Sequence, residues 1–495
     1  MTSKNRTLRA KDYQLTEVSD CRWRIEATGD MLVPGEVYGD ETILEALLAD
    51  VDEAKEWNAL VQIRNVASLP GIVSASLAMA DVHPGYGFPI GGVGAFDPAE
   101  GGVVTVAGVG FDVNCGVRTL RTPLVAADVE AQKEELADAL FRTVPAGVGS
   151  TGELRLSLPE VDEVLVRGAE FAVERGYGRP EDLVFVEEGG RMAGADPGAV
   201  SKTARERQHR QVGTLGSGNH YLEVQVVDSI FDAAAAAAYG LAEGQVVISI
   251  HTGSRALGHQ IGTDYLKVLE QASKKYGIPI RERELVGAPI ESPEGRRYLS
   301  AVSAGMNCAF ANRQVLGALA RRALRRVFGL AEERIEVLYE VAHNNVKFED
   351  HEVEGRRRRL LVHRKGATRA FGPGHPDVPE AYRAVGQPVL VGGTMGTASW
   401  ILAGTATAMQ QTFGSACHGA GRHLSRQQSL KKWRGEQVVR ELESRGILIR
   451  APSMRGVAEE APGAYKDVDV VVDSMERAGV SRKVARLRPL VCVKG

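Results

Sequence analysis

The sequence is poor in the features that most quickly assign a function. Only five cysteines occur in 495 residues (Cys21, Cys115, Cys308, Cys417 and Cys492); they are scattered, odd in number and never form a CxxC pair. That pattern argues against a disulfide scaffold and a zinc ribbon, and suits a reducing cytoplasm. No uninterrupted apolar stretch is long enough to span a bilayer, and the opening MTSKNRTLRAKDYQL has no apolar h-region. A soluble, cytoplasmic protein without membrane contact is therefore expected. Neither sign of charge dominates, the formal net charge being -3, so any polyanion site must be a local basic patch. There is no GxxxxGK[ST] phosphate loop, no KxDG lysine motif of the classical nucleotide-transferring ligases, no internal repeat and no Pro/Ser linker.

What remains is ordinary globular composition, 44% hydrophobic and 25% charged, at a length that buries a core easily. Hydrophobic spacing predicts helices over 43–57 (around Leu44, Leu47 and Leu48), 126–141, parts of 187–211, the alanine run 233–238, and an amphipathic helix over 313–328. Strands are expected at 103–106, 246–250, 335–340 and 360–363. These elements intermix without a βαβ rhythm, which predicts an α+β fold rather than a doubly wound one. Candidate site residues come from every part of the chain. That favours one catalytic domain over 1–495, with 1–79 less distinctive than 80–495.

Glycine becomes dense over 79–118, where it lets backbone approach ligands closely. Within that stretch Asp112 and Cys115 stand three residues apart between Gly110 and Gly116. A thiolate is a strong soft metal ligand and a nearby carboxylate can share its ion, although a lone cysteine is more often simply buried. In Gly213-Thr-Leu-Gly-Ser-Gly-Asn219-His220-Tyr-Leu-Glu223, a glycine loop would place Asn219, His220 and Glu223 at one rim. His251 closes a buried strand and precedes Thr-Gly-Ser-Arg255, a frequent placement for functional groups. His259 reads as supporting. His343 follows another strand, and His418 sits among small residues that leave its imidazole accessible as a nucleophile. Each piece is weak alone. Jointly, four of 11 histidines in glycine- or asparagine-rich turns, with Cys115 and Asp112, suit zinc, manganese or iron better than calcium or magnesium.

Six cationic side chains fall within 356–365. Arg356 to Arg359 read as a solvated turn and strand edge, whereas Arg364 and Lys365 are candidates to face phosphate. The arginine face around 321–326 reads as solvated surface.

The runs DVHPGYGFPIGGV (from Asp81), GFDVNCGVR (Gly110), GTLGSGNHYLE (Gly213), HTGSR (His251), AHN (Ala342), VHRKGATRAF (Val362), GGTMGTAS (Gly392), CHGAGR (Cys417), APGAYKD (Ala461) and the terminal VKG together resemble the RtcB family of RNA-splicing ligases from about Ala80 onward. The resemblance implies mixed sheets around a deep metal-containing cleft and a two-manganese centre. Cys115 would bridge the ions and Asp112, His220, His251 and His343 would complete it. It further implies that His418 becomes guanylylated by GTP. Asn219, Glu223, Ser399, Tyr465 and Lys494 match guanosine-holding positions, together with Thr394, Met395, Gly419 and Arg422 in the same loops. Arg255 and Asn344 match positions near phosphate or RNA, Asn344 also beside the nucleotide. The implied reaction passes GMP from His418 to an RNA 3′-phosphate, after any 2′,3′-cyclic phosphate is opened, and a 5′-hydroxyl then displaces GMP. It would serve tRNA splicing or RNA repair, in a monomer, with an archease-type activator as a potential partner. Because Lys494 would pin the guanine, a C-terminal tag or truncation is expected to do harm. Ala256 and Thr394 depart from the usual glycine and serine of the pattern, which bears only on local backbone.

Two other classes fit some of these residues. A metal-dependent phosphodiesterase or phosphatase acting on RNA ends would use the same Cys/His/Asp set without needing His418. A non-catalytic metal- or RNA-binding protein would tolerate loss of Cys115 or His418.

Overall fold

The computed structural model describes residues 6–53, 55 and 57–495. The first five residues of the opening segment, and positions 54 and 56 of the expected 43–57 helix, lie outside them. Asp40 caps the helix Glu41–Asp52 by accepting from the Ile43 N–H, and Ile43, Leu44, Leu47, Leu48 and Val51 form its buried stripe. This is the spacing read from the sequence.

Two large sheets organise the chain. The first runs Thr7–Ala10, Tyr13–Ser19, Arg22–Ile25, Gly35–Tyr38, Ser76–His83, Ile90–Phe96, Arg356–Lys365, Asn344–Val353. The second runs Glu336–Ala342, Gly116–Val125, Gln245–Thr252, Tyr221–Ile230, Ser481–Lys494, Ser399–Gly404, Pro388–Val391, with Leu448–Arg450 pairing parallel to Ser481–Lys494. Neighbours in the second sheet's main path are antiparallel, and apart from Pro388–Val391 with Ser399–Gly404 and Tyr221–Ile230 with Gln245–Thr252 they are distant in sequence. The mixed α+β class expected from the sequence is the one observed.

The helix Pro293–Phe328 begins 20 residues before the expected Arg313, since it spans 36 residues. Ser292 caps its start, Pro293 fits the first turn, and Gly329 ends it at φ 67°. Its middle, residues 301–321, is rich in small residues and buried on all sides, so no amphipathic period marks it. That burial also corrects the arginine face. Arg322, Arg325 and Arg326 are exposed, but Arg321 is buried and gripped by Asp182 at 2.6 and 2.7 Å. No helix among the described residues is long and apolar enough to cross a membrane.

Candidate metal and nucleotide site

The site grows from one edge of the second sheet. Gly116 starts its strand opposite Thr252 and Ala342, His251 pairs with Tyr221, and Tyr221 pairs with Lys494. Because these strands alternate in direction, the start of two and the end of three meet at that edge. Cys115, His220, His251, His343 and Lys494 are therefore brought together from across the chain. Close approach is built in: a Cβ on Gly116 would stand 2.5 Å from the Val341 carbonyl oxygen. Asn114 adopts φ 56° to aim Cys115, its N–H bonding the Asn344 carbonyl at 2.6 Å, while the His343 N–H bonds the Cys115 carbonyl at 2.8 Å.

The donor atoms face one another. Cys115 Sγ lies 3.2 Å from His251 Nε2 and 3.4 Å from His220 Nε2. His251 Nε2 is 3.2 Å from His343 Nε2, and His220 Nε2 is 2.8 Å from Asp112 Oδ2. Two triads result, Cys115–His251–His343 and Asp112–Cys115–His220, each with ligand atoms within 4.8 Å of one another and with Cys115 common to both. Backbone carbonyls fix the tautomers. His220 Nδ1 reaches the Leu215 oxygen at 2.9 Å and His251 Nδ1 the Asn219 oxygen at 3.2 Å, so each Nδ1 carries the proton and each Nε2 presents a lone pair.

Burial pushes the Cys115 thiol up and the His251 and His343 imidazoles down, keeping all three neutral. Burial would also raise Asp112, but the neighbouring His220 and Arg255 hold it at about 2. Its Oδ1 is buried without a hydrogen-bond partner. The inward Nε2 lone pairs of His220 and His251, an orphaned carboxylate oxygen and a soft-plus-borderline donor set together fit a transition-metal cation.

Beside this cluster opens a cavity of about 350 Å³ lined by Asn219, Glu223, Asn344, Thr394, Met395, His418, Gly419, Arg422, Tyr465 and Lys494, as well as by Asp112, Cys115, His251 and His343. Three of the expected residues stand behind its wall. His220 reaches the cluster through its Nε2. Ser399 Oγ supports the loop from below, accepting from the Gly393 N–H at 3.1 Å and from Gln225 Nε2 at 3.0 Å. Arg255, itself at φ 59°, lies against His220 Nδ1 at 3.4 Å. Thr394 keeps the hydroxyl of the usual serine, bonding Thr397 Oγ1 at 3.0 Å, and the Ala256 N–H bonds Gln211 Oε1 at 3.1 Å.

Glu223 is raised to about 7 by burial, partly offset by Lys494, whose amine burial lowers. Tyr465 OH accepts from Arg422 at 3.0 Å, and Arg422 reaches Glu460 at 2.9 Å. The His418 ring lies 4.6 Å from that of His343.

Sequence reasoning missed Asp81. Its Oδ2 accepts from His418 Nδ1 at 2.5 Å and from the His418 N–H at 2.9 Å, and the carboxyl is fully buried. The only signal was a carboxylate opening the glycine-rich run from Asp81. Arg313 was also missed. It donates from one terminal nitrogen to the carbonyls of Asn114 (2.6 Å) and Thr252 (2.8 Å), tying the turn that bears Cys115 to the strand end that bears His251. Arg364 needs correction. It does not face the cavity but is buried against Glu349 at 2.6 and 2.8 Å and against Ser415 Oγ at 2.8 Å. Lys365 does line the cavity, its Nζ held by the Tyr86 and Phe88 carbonyls at 3.0 Å each. His259 is exposed and its ring lies 5.4 Å from Phe111.

A model of the family "tRNA-splicing ligase RtcB" matches residues 62–495. Relatives described as tRNA-splicing ligase RtcB align over nearly their whole lengths. That of Thermococcus kodakarensis is 52% identical over 97% of this chain and 99% of its own. Those of Archaeoglobus fulgidus (52%, 97% and 99%) and Pyrobaculum aerophilum (47%, 98% and 100%) are similar. On the family match and these near-complete alignments, the chain belongs to the RtcB family of tRNA-splicing ligases.

Proposed function

We propose that this chain, an RNA ligase by family, joins RNA 3′-phosphate or 2′,3′-cyclic phosphate ends to 5′-hydroxyl ends with GTP and manganese, and that His418 carries the nucleotide. The observation that carries the reading is the Asp81–His418 pair in the cavity that also presents the Cys/His/Asp donors. With Nδ1 donating to Asp81, the His418 lone pair is on Nε2. That nitrogen attacks the α-phosphorus of GTP, an N–P bond forms, and the bond to the β-phosphate oxygen breaks to release pyrophosphate. The imidazole becomes cationic as the bond forms, and the buried Asp81 carboxylate balances that charge. An RNA 3′-phosphate oxygen then takes GMP from Nε2, and a 5′-hydroxyl attacks the activated phosphate and displaces GMP.

Two cations would be held here, one by Cys115, His251 and His343 and one by Cys115, Asp112 and His220. Bound there, manganese supplies positive charge to the phosphates. Glu223, Tyr465 and Lys494 line the cavity and hold the guanosine, with Arg422 bonded to both Glu460 and Tyr465. Residues of both sheets contribute, so the chain works as one catalytic domain. Labelled GTP and manganese test the reading. The expected product is an acid-labile protein–GMP adduct that His418→Ala abolishes; ends processed without any adduct would instead make this a metal-dependent phosphodiesterase.

A further inference from the structure

Trp57 and Tyr86 are both large, apolar and exposed, at 44% and 53%, although they come from separate segments. Trp57 precedes the helix Ala59–Ala67, and Tyr86 lies between the strands Ser76–His83 and Ile90–Phe96. Their rings meet edge to face at 5.1 Å. Tyr86 meets Phe111 in the same way at 6.1 Å, and Phe111 immediately precedes Asp112 of the donor cluster. Tyr86 and Phe111 line the cavity, so an aromatic ladder runs unbroken from the reaction centre to open surface. It is held rigid: the Tyr86 carbonyl accepts from Lys365 Nζ, and the next residue, Gly87, has φ 70° with its Cβ position 2.7 Å from the Leu285 nitrogen. Contiguous exposed aromatics mark an interaction surface, and this one is continuous with the cavity.

We infer that Phe111, Tyr86 and Trp57 form a stacking track for the bases of an unpaired RNA end, leading its terminal phosphate to the donors around Asp112. The inference rests on the ligase reading. Unpaired bases are bound by aromatic faces with little sequence preference. On the ligase reading Tyr465 and Lys494 hold the guanosine, and the track enters the same cavity through other lining residues, Tyr86 and Phe111. The three rings carry no charge, which separates their contribution from that of phosphate contacts.

The test measures affinity and KM for a single-stranded 3′-phosphate oligonucleotide and for the same oligonucleotide made abasic near that end. For Tyr86→Ala and Trp57→Ala with the intact oligonucleotide, Kd and KM rise about tenfold, by the same factor at low and high salt. Tyr86→Phe and Trp57→Phe stay near wild type. Abasic substitution weakens wild-type binding by a similar factor but weakens the alanine variants little further, as stacking requires. Wild-type and variant proteins that bind intact and abasic RNA alike overturn the track. So does a loss confined to stimulation by a protein partner, which would assign the patch to that partner. A wild-type protein that binds RNA but forms neither GMP adduct nor ligated product sinks the ligase reading instead, and the two failures are distinct.

Discussion

Two buried polar regions lie side by side and could hardly be less alike. In the donor cluster, the ligand atoms of Cys115, His220, His251 and His343 crowd together with contacts of 3.2–3.4 Å, and Asp112 is the one acid. In the network behind it, every charge meets its opposite. Glu340 stands between Arg118 and Arg313, Arg313 Nε lying 2.8 Å from its Oε1. Arg118 continues at 2.6 Å to Gln314, which reaches Asp182 at 3.0 Å, and Asp182 holds Arg321. A region whose charges are paired within the protein is held together as folded, whereas a cluster of crowded ligand atoms with a single acid fits a cation. Arg313 belongs to both, since it also holds the Asn114 and Thr252 carbonyls.

The largest effect is expected from breaking the donor side. Cys115→Ala removes the atom common to both triads, so ligation falls to background. Manganese also loses its stabilising effect. On the proposed reading, manganese at about a hundred times its dissociation constant is expected to add about 2.7 kcal/mol to the wild type, seen as a rise in melting temperature that chelation reverses. A Cys115→Ala protein whose melting temperature still rises with manganese would mean that the cation binds elsewhere.

Next comes the shared residue. Arg313→Met leaves Glu340 short of a partner and frees two carbonyls, a loss of about 3–5 kcal/mol for breaking a buried pair. Because those carbonyls orient the Cys115 and His251 segments, manganese affinity measured by calorimetry falls about tenfold or more, as for other groups that support metal ligands. A drop in stability with unchanged manganese affinity would separate the two regions.

The contrast also explains what could be read in the sequence. Cys115, His220, His251, His343 and His418 stood out because each interrupts a glycine- or asparagine-rich turn beside a strand, a local pattern. The strand order that gathers them was not legible: nothing near Gly116 indicates that its neighbours are Gln245–Thr252 and Glu336–Ala342. Asp81 and Arg313 escaped because their roles exist only across 337 and 199 residues of chain. Arg364 was misread for the same reason. A cationic side chain in a basic run says nothing about whether a buried carboxylate such as Glu349 already holds it. Family resemblance supplied roles for residues such as Ser399 and Tyr465, which no local pattern distinguishes.

The smallest effect concerns the far end of the compensated network and depends on pH. Burial pushes the Asp182 carboxyl up, but the Arg321 guanidinium and Arg118 outweigh it and bring it to about 2. Unfolded, it would titrate near 3.8. A carboxyl depressed by folding stabilises the protein above its unfolded value, and that stability drains away as pH falls from about 4 through about 2. The contribution at neutral pH is about 2–3 kcal/mol. Asp182→Asn therefore melts about 2–3 degrees below wild type at pH 7, and the gap narrows steadily as the melts are repeated between pH 4 and pH 3. Manganese affinity should be untouched, because Asp182 reaches the donors only through Gln314, Arg118 and Glu340. A gap that stays constant with pH would show that Asp182 acts there through shape and hydrogen bonding rather than charge, and the charge pairing of the network would then rest on Glu340 alone.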